Sequence, residues 1–153
     1  MLDRPIEVEV EIERIEHGEG LPYPAYMTEH AVGMDIYAAI EDDVTLEPGD
    51  IYLCPTGFKV AIPEAFEIQI RPRSGLAVKQ GLTIVNAPGT IDPDYRGEVK
   101  VGLINLGRGP VTIRRGTRIA QMVLAPRYRI SWKEVTSVGG TRRGQGGFGH
   151  TGT

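Results

Sequence analysis

The sequence predicts an all-β domain built as a sandwich or a barrel. Apolar and β-branched residues recur in many short runs, and several runs alternate with polar residues, as half-buried strands do. The 20 glycines and 11 prolines separate these runs as tight turns separate short strands. Only residues 74–80 have the pattern of a helix, so we expect little helix beside the strands.

The first predicted strand comes from residues 6–13, which alternate between an aliphatic side chain and glutamate. Residues 17–29 carry glycine, proline and tyrosine and are predicted to form a loop. Residues 31–39 form an apolar run that Asp35 interrupts. A buried aspartate costs free energy unless it is paired or faces a site, although a strand end would also explain it.

The rest of the chain predicts one helix among further short strands. The helix is predicted over residues 74–80, with Ser74 as its N-cap and Gly81 as its stop. The strands are predicted at residues 51–53, 58–62, 66–70, 83–85, 98–105, 111–113 and 119–125.

Residues 89–97 are predicted to form a hairpin-like loop between two of these strands. Its tip holds Asp92, Asp94, Tyr95 and Arg96 within five residues. A carboxylate there can accept a proton from water, and a tyrosine ring can pack against a flat ligand. A solvated turn is the alternative, and the residues alone do not choose between the two aspartates as a base.

Composition and charge exclude several classes of function. A net charge of −3 over 153 residues does not indicate a nucleic-acid or membrane surface. The single cysteine, Cys54, excludes an intrachain disulfide and a cysteine-cluster metal site, and the three histidines lack metal-ligand spacing. No apolar run reaches the length of about 18 residues that a membrane span needs. We therefore expect a soluble cytoplasmic protein with no nucleic-acid or membrane partner.

Arginines and glycines together indicate a small anionic ligand. Arginines cluster at residues 71 and 73, at 114, 115 and 118, and at 142 and 143, although scattered surface arginines would give the same pattern. The run Arg73-Ser74-Gly75 joins a guanidinium fork and a hydroxyl to a glycine that permits close backbone approach. Such a turn suits phosphate, but it is not a Walker loop.

Five short motifs occur in order over most of the chain. They are AVGMDIYAA at residues 31–39, PRSGLA at 72–77, GTIDPDYRGEV at 89–99, GTRIAQ at 116–121 and RGQGGFGHTG at 143–152. Together they resemble the motifs of the trimeric dUTPases, the dUTP pyrophosphatases. Two departures are minor: Pro93 follows the key aspartate, and Met34 replaces an aromatic residue. Neither removes a group with a chemical role.

The resemblance implies a distorted β jelly roll, with residues 1–138 as the domain and residues 139–153 as an arm over the active site. It implies a homotrimer with three active sites at subunit interfaces. The implied reaction is hydrolysis of dUTP to dUMP and pyrophosphate, with Mg²⁺ held mainly by the triphosphate. Such a reaction provides dUMP for dTTP synthesis and keeps uracil out of DNA.

The resemblance also assigns roles to residues. Asp92 is implied as the general base for the water that attacks the α-phosphorus, Tyr95 as the ring under the deoxyribose, and Asp35 as a residue that acts on the metal through water. The implied substrate contacts are Asn86, Thr90, Ile91, Lys100 and Phe148 for uracil, and Arg73, Ser74, Gly75, Gln121, Arg143 and Thr151 for the phosphates.

The arm contains seven glycines in residues 139–153. Ordering so much glycine costs backbone entropy, so we expect an arm that is mobile without nucleotide and closes over dUTP.

Two other functions compete with dUTP hydrolysis. One is dCTP deamination on the same fold, for which the second motif would read Arg-Ser-Ser, whereas Gly75 follows Ser74 here. The other is a non-catalytic dUTP-binding or regulatory protein. A dUTP hydrolysis assay with magnesium separates all three.

Overall fold

Twelve short strands and one α-helix form the part of the chain that the structure, a computed structural model, describes, residues 6–147. The helix α1 spans Ser74–Gln80, and a single 3-10 turn covers Glu16–Gly18. The strands are β1 (Glu11–Arg14), β2 (Ala25–Tyr26), β3 (Met34–Tyr37), β4 (Val44–Leu46), β5 (Ile51–Pro55), β6 (Phe58–Ala61), β7 (Phe66–Arg71), β8 (Leu82–Ile84), β9 (Gly89–Ile91), β10 (Lys100–Asn105), β11 (Val111–Ile113) and β12 (Arg118–Pro126).

The strands pair antiparallel, and most neighbours in a sheet are distant in sequence. The largest sheet has the order β2-β3-β12-β7-β9, and a second has the order β5-β10-β8. Two further pairs are β1 with β6 and β4 with β11. Crossovers of this kind between sheets are those of a jelly roll. The predicted all-β jelly-roll class is therefore confirmed. No helix in residues 6–147 is long and apolar enough to span a membrane.

The core lies between the sheets and is aliphatic. Its most deeply buried large side chains are Ile36, Leu103, Ile113, Val99, Val101, Asn105 and Cys54. Asn105 is tolerated there because its amide donates to the carbonyls of Leu46 at 2.8 Å and Gly109 at 2.9 Å. Its side-chain oxygen accepts from the Gly107 N–H at 2.8 Å, so each side-chain polar atom has a partner and burial carries little penalty.

The prediction for the N-terminal strand is partly wrong. The strand begins at Glu11, which pairs with Ala61 of β6, whereas residues 6–10 pair with no strand of the described chain. The alternation describes the faces only in part: Val8 and Val10 are half-buried and the neighbouring glutamates are exposed, but Ile6 and Ile12 are exposed too. Alternation reports burial, but a strand also needs a neighbour to pair with.

The helix is confirmed and its predicted N-cap is wrong. Arg73 takes the cap position, and Ser74 is the first helical residue with no side-chain cap bond. Gly81 ends the helix as predicted, with a φ of 73° and its N–H donated to Ala77 at 3.0 Å. A Cβ at Gly81 would lie 2.3 Å from the Gly107 nitrogen, so sterics and φ both favour glycine here.

The central loop is more structured than the sequence indicates. The strands on either side do pair, since Ile84 of β8 lies opposite Leu103 of β10. Between them, however, β9 crosses to the large sheet, where Thr90 lies opposite Gln69 of β7. The free loop therefore begins only at Asp92.

The carboxylate of Glu98 connects this loop to His17 and to residues 56–57. Its Oε1 accepts from the amides of Thr56 at 3.2 Å and Gly57 at 3.0 Å, and lies 2.6 Å from His17 Nε2. Lys100 Nζ lies 3.8 Å from Oε2. Burial alone would raise the pKa of Glu98, but the hydrogen bonds from His17 and Gly57 and the charges of His17 and Lys100 lower it below its ordinary value.

We predict that Glu98→Gln lowers the free energy of unfolding at pH 7 by about 2 kcal/mol, because hydrogen bonds to a charged group are lost. A lowered folded-state pKa gives stability that is present above the unfolded-state pKa and is lost as the pH falls through the folded-state value. The difference between wild type and variant should therefore shrink below pH 4.5, the ordinary pKa of the group. Urea denaturation across pH measures it.

The matched control is Glu13→Gln, whose carboxylate lies 3.5 Å from Lys59 Nζ and is 70% exposed. Exposed pairs contribute little, so this change should cost about 0.5 kcal/mol or less. Equal costs for the two variants would contradict the role given to Glu98.

Candidate active site

A cavity of about 290 Å³ lies between β9 and β10. Asn86, Thr90, Ile91 and Lys100 all line it. Four of the five residues that the resemblance assigns to uracil are therefore brought together, and the fifth, Phe148, lies outside the described residues. We call this space the β9–β10 cavity.

Backbone groups are available along both sides of the β9–β10 cavity. The strand β9 lies at the edge of its sheet, so one of its two edges has no strand partner within residues 6–147. On the side towards β8, β10 is paired only over residues 103–105, and the Val85 amide donates to the Gly102 carbonyl at 2.9 Å just before them. A flat ligand with donors and acceptors on its edge can therefore be recognised by main-chain groups.

Two glycines keep space beside the Asn86 side chain. A Cβ at Gly102 would lie 3.2 Å from Val85 Cγ1 and 3.5 Å from Asn86 Oδ1. A Cβ at Gly89 would lie 3.2 Å from Ile70 Cβ and 3.5 Å from Asn86 Nδ2. Larger residues at either position would crowd the amide or the cavity wall.

Asp92 follows β9 directly and is exposed at the start of a tight turn. The Tyr95 amide donates to the Asp92 carbonyl at 3.1 Å. Arg96 closes the turn, because its Nη1 donates to the carbonyls of Pro93 at 2.6 Å and Tyr95 at 3.0 Å. Asp92 and Asp94 both line an open cavity of about 530 Å³ next to this turn, so geometry alone does not distinguish them.

The Tyr95 ring is held against the backbone of its own loop. Its hydroxyl donates to the Glu98 carbonyl at 2.9 Å, and a Cβ at Gly97 would lie 2.3 Å from that hydroxyl oxygen. The ring remains 46% exposed. One face is fixed and the rest of the ring is free to contact a ligand.

A cluster of charged side chains lies at the other end of the large sheet, around the buried carboxylate of Asp35. We call it the Asp35 cluster. Its Oδ1 accepts from Arg73 Nε at 3.0 Å, and its Oδ2 accepts from Arg118 Nη1 at 3.2 Å. Two guanidiniums against one carboxylate leave a net positive charge, and both arginines are partly exposed. The cluster is therefore suited to an anion.

Gln121 belongs to the same cluster. It lies opposite Asp35 across the β3–β12 pair, and its Nε2 donates to the Pro72 carbonyl at 3.0 Å. A Cβ at Gly33 would lie 2.2 Å from Gln121 Oε1. Glycine at position 33 thus leaves room for the side chain that supports the Arg73 turn.

The residues fit a magnesium ion carried by a ligand rather than one held by the protein alone. Within residues 6–147, no group of three His, Cys, Asp or Glu side chains is placed to hold a metal ion. Both oxygens of Asp35 already accept from arginines. A carboxylate keeps further lone pairs in that state and can accept from a metal-bound water.

Asp92 and the Asp35 cluster lie far apart in one chain. Arg71 pairs with Gln121, whereas Ile68 pairs with Ile91, the last residue of β9. Residue 68 is three residues from residue 71, or roughly 10 Å along the strand. Asp92 follows Ile91 and Arg73 lies beyond Arg71, so the two are farther apart still. Asp92 therefore lies near the start of β7, and Arg73 lies beyond its end.

The dUTPase family model matches residues 20–152. The chain belongs to the dUTPase family. The match includes the Asp35 cluster, the residues of the β9–β10 cavity and the central loop. It confirms the prediction of an enzyme of this family.

Curated relatives and solved structures agree with the membership. The chain is 66% identical to the deoxyuridine 5'-triphosphate nucleotidohydrolase of Desulfotalea psychrophila over 134 residues, which cover 88% of this chain and 89% of the relative. It is 55% identical to the protein of the same name from Rickettsia felis, over 94% and 97% of the two chains. The dUTPase of Staphylococcus bacteriophage 80alpha, solved with dUPNHPP, is similar with a TM-score of 0.84 and 25% identity, over 95% and 99% of the chains.

Of the three arm residues with predicted substrate contacts, Arg143 lies within the described part of the chain. Its Nε donates to the Gly146 carbonyl at 2.8 Å, and the Gly146 amide donates back to the Arg143 carbonyl at 3.1 Å. Both bonds stay within the arm. Phe148 and Thr151 lie outside the described residues.

The sequence clusters of arginine are not all clusters in space. Arg114 pairs with Asp43 at 3.2 Å on the surface, and Arg115 donates to the carbonyls of His17 at 2.9 Å and Glu19 at 2.8 Å. Of that group, only Arg118 reaches the Asp35 cluster. Arg118 belongs to the fourth motif and to a predicted arginine group, but it was not among the predicted site residues.

Proposed function

We propose that the chain hydrolyses dUTP to dUMP and pyrophosphate. The observation that carries the proposal is the β9–β10 cavity, whose strand β9 leads directly into Asp92. The names of the relatives at 66% and 55% identity support it. A hydrolysis assay with dUTP, dCTP and dTTP in the presence of Mg²⁺ tests it, and no preference for dUTP would refute it.

Uracil is the proposed occupant of the β9–β10 cavity. The cavity suits a flat base, and the main chain near Thr90, Ile91 and Lys100 offers groups for its polar edge. The Asn86 amide can donate and accept at the same edge. The exposed part of the Tyr95 ring then packs against the deoxyribose.

Asp92 is the proposed general base. An ordinary aspartate is ionised at neutral pH and can orient a water and accept its proton, although it is a weak base. The exposed side chain accepts no hydrogen bond from the described residues, so its oxygens are available to water. The water attacks the α-phosphorus, and pyrophosphate leaves.

The triphosphate is proposed to lie on the Asp35 cluster. Arg73 and Gln121 supply side-chain donors, and the exposed Ser74 and Gly75 allow close approach of the backbone. A bound Mg²⁺ would supply neutralisation of charge on the phosphates and on the leaving group. Asp35 would accept from a water of that ion while it holds Arg73.

A homotrimer is proposed because one chain separates Asp92 from the Asp35 cluster. Two copies can bring the base of one chain to the phosphate cluster of the next, and cyclic assembly closes the ring. Ile51, Leu53 and Val85, which line the β9–β10 cavity, are 61%, 59% and 48% exposed, so apolar surface remains there for the base and for a second copy. An active monomer in light scattering would refute the proposal.

The arm is proposed to close over the bound nucleotide, with Phe148 on the uracil and with Arg143 and Thr151 on the γ-phosphate. This division makes residues 1–138 the jelly-roll domain and residues 139–153 the arm. The guanidinium can form charge-assisted hydrogen bonds when a phosphate is present. In a cytoplasmic setting, the product dUMP would serve dTTP synthesis, and removal of dUTP would keep uracil out of DNA.

We predict that Asp92→Asn lowers kcat about 10²–10⁴-fold, because the amide keeps the shape but cannot accept the proton. The affinity for the analogue dUPNHPP should change little. Steady-state kinetics and calorimetry measure the two effects. Asp94→Asn, on the same turn, is the matched control and should stay near wild type. The reverse result would assign the base to Asp94.

We predict that Tyr95→Ala loses discrimination against UTP as well as activity on dUTP. The ring leaves no room for a 2′-hydroxyl, and a desolvated hydroxyl without a partner costs free energy. Tyr95→Phe keeps the ring and removes only the bond to the Glu98 carbonyl, so it should still reject UTP. The measurement is the ratio of kcat/KM for dUTP to kcat/KM for UTP. If Tyr95→Ala rejects UTP as strongly as wild type does, the steric role of the Tyr95 ring is refuted.

We predict that truncation after Thr141 leaves a folded trimer with nearly unchanged melting but severely lowered turnover. Residues 142–145 are exposed and contribute little to the core. Phe148→Ala should be milder, because it keeps Arg143. Thermal melts and dUTP hydrolysis test both variants, and full activity without the arm would contradict the proposed closure.

A further inference from the structure

A β-bulge in β12 brings Arg118 to the phosphate cluster. Gln121 lies opposite Asp35 and Ala120 opposite Ile36, but Arg118 rather than Ile119 lies opposite Tyr37. The extra residue is Ile119, which is buried, as is Ala120 beside it. In an unbroken strand, Arg118 would share the face of the buried Ala120. The bulge places it instead on the face of Asp35 and Gln121.

The two arginines hold the Asp35 carboxylate from opposite sides. Arg73 Nε donates a hydrogen bond to Oδ1, and Arg118 Nη1 donates one to Oδ2. The Asp35 side chain is 11% exposed, and the side chains of Arg73 and Arg118 are 28% and 44% exposed. Asp35 therefore fixes one end of each arginine while other N–H groups remain free to meet an anion.

A second contact joins the two arginines directly. Arg73 Nη1 donates to the main-chain carbonyl of Arg118 at 3.2 Å. The guanidinium of Arg73 is thus set by one carboxylate oxygen and one carbonyl, both on strands of the large sheet. If Arg118 no longer held Oδ2, Asp35 would keep only its bond to Arg73, and the carboxylate that orients Arg73 Nε would be held less firmly.

We infer that Arg118 is a positioning residue of the dUTP site, which acts through Asp35 to orient Arg73 towards the triphosphate. The inference deepens the proposed function and rests on it. Arg118 does not touch the base or the sugar in this account. A small displacement of an orienting group far from the reacting atoms is enough to slow a reaction about 10²-fold.

The first test replaces Arg118 by glutamine. We expect kcat/KM for dUTP to fall about 10- to 100-fold and the Kd of dUPNHPP to rise, while inhibition by deoxyuridine, which has no phosphate, stays at the wild-type value. Arg118→Lys keeps a cation beside Asp35 and should recover part of the loss. An equal loss for deoxyuridine, or no recovery with lysine, overturns the inference.

The matched control is Arg114→Gln. Arg114 also holds an aspartate, Asp43, through a 3.2 Å contact, but its side chain is 76% exposed and the pair lies outside the Asp35 cluster and the β9–β10 cavity. Its kinetics should equal those of wild type. Thermal melts of both variants separate a folding defect from a local one, and Arg118→Gln should melt as a single folded species near the control.

The decisive test is a double-mutant cycle of Arg118→Gln with Asp35→Asn. If Arg118 acts through Asp35, the double variant should be no worse than Asp35→Asn alone, within about twofold. Independent losses that multiply overturn the inference, because Arg118 would then act by another route. A wild-type protein without dUTP hydrolysis would refute the proposed function itself, whereas an active wild type with an unimpaired Arg118→Gln refutes only this inference.

Discussion

The pairing of β12 with β3 on one side and β7 on the other is the constraint on which the rest of the structure depends. It buries Met122 and Val123 in the core and sets Gln121 in line with Asp35. It also determines what lies at each end of the sheet, because β7 carries β9 on its far edge and so directs Asp92 away from Arg73. The same strand pairing therefore buries core residues and separates Asp92 from Arg73 within one chain.

The three carboxylates that matter most lie in different surroundings, and their roles follow from this. Asp35 is buried against two guanidiniums, and Glu98 is held by two amides, His17 and Lys100. Both carboxylates are therefore occupied by contacts with neighbouring groups. Asp92 is exposed on a turn that other residues close, which leaves its oxygens free for water. The protein fixes its framework with paired carboxylates, whereas the carboxylate that we propose as the general base has no partner among the described residues.

Much of the fold and part of the site could be predicted from the sequence. Alternation predicted the strands, and the motif order predicted the family, because both depend on local patterns. The role of Glu98 could not be predicted, since its partners Thr56 and Gly57 lie some forty residues earlier. Nor could the orientation of Arg118, because a bulge is visible only in the register of two strands.

The central claim is that each active site combines Asp92 of one copy with the Asp35 cluster of another. Refolding an equal mixture of Asp92→Asn and Arg73→Gln chains tests it most directly, because neither variant alone has a complete site. Random assembly into cyclic trimers should restore activity to about one quarter of wild type, since that fraction of sites pairs an intact Asp92 with an intact Arg73. Activity no higher than the mean of the two separate variants would contradict the claim.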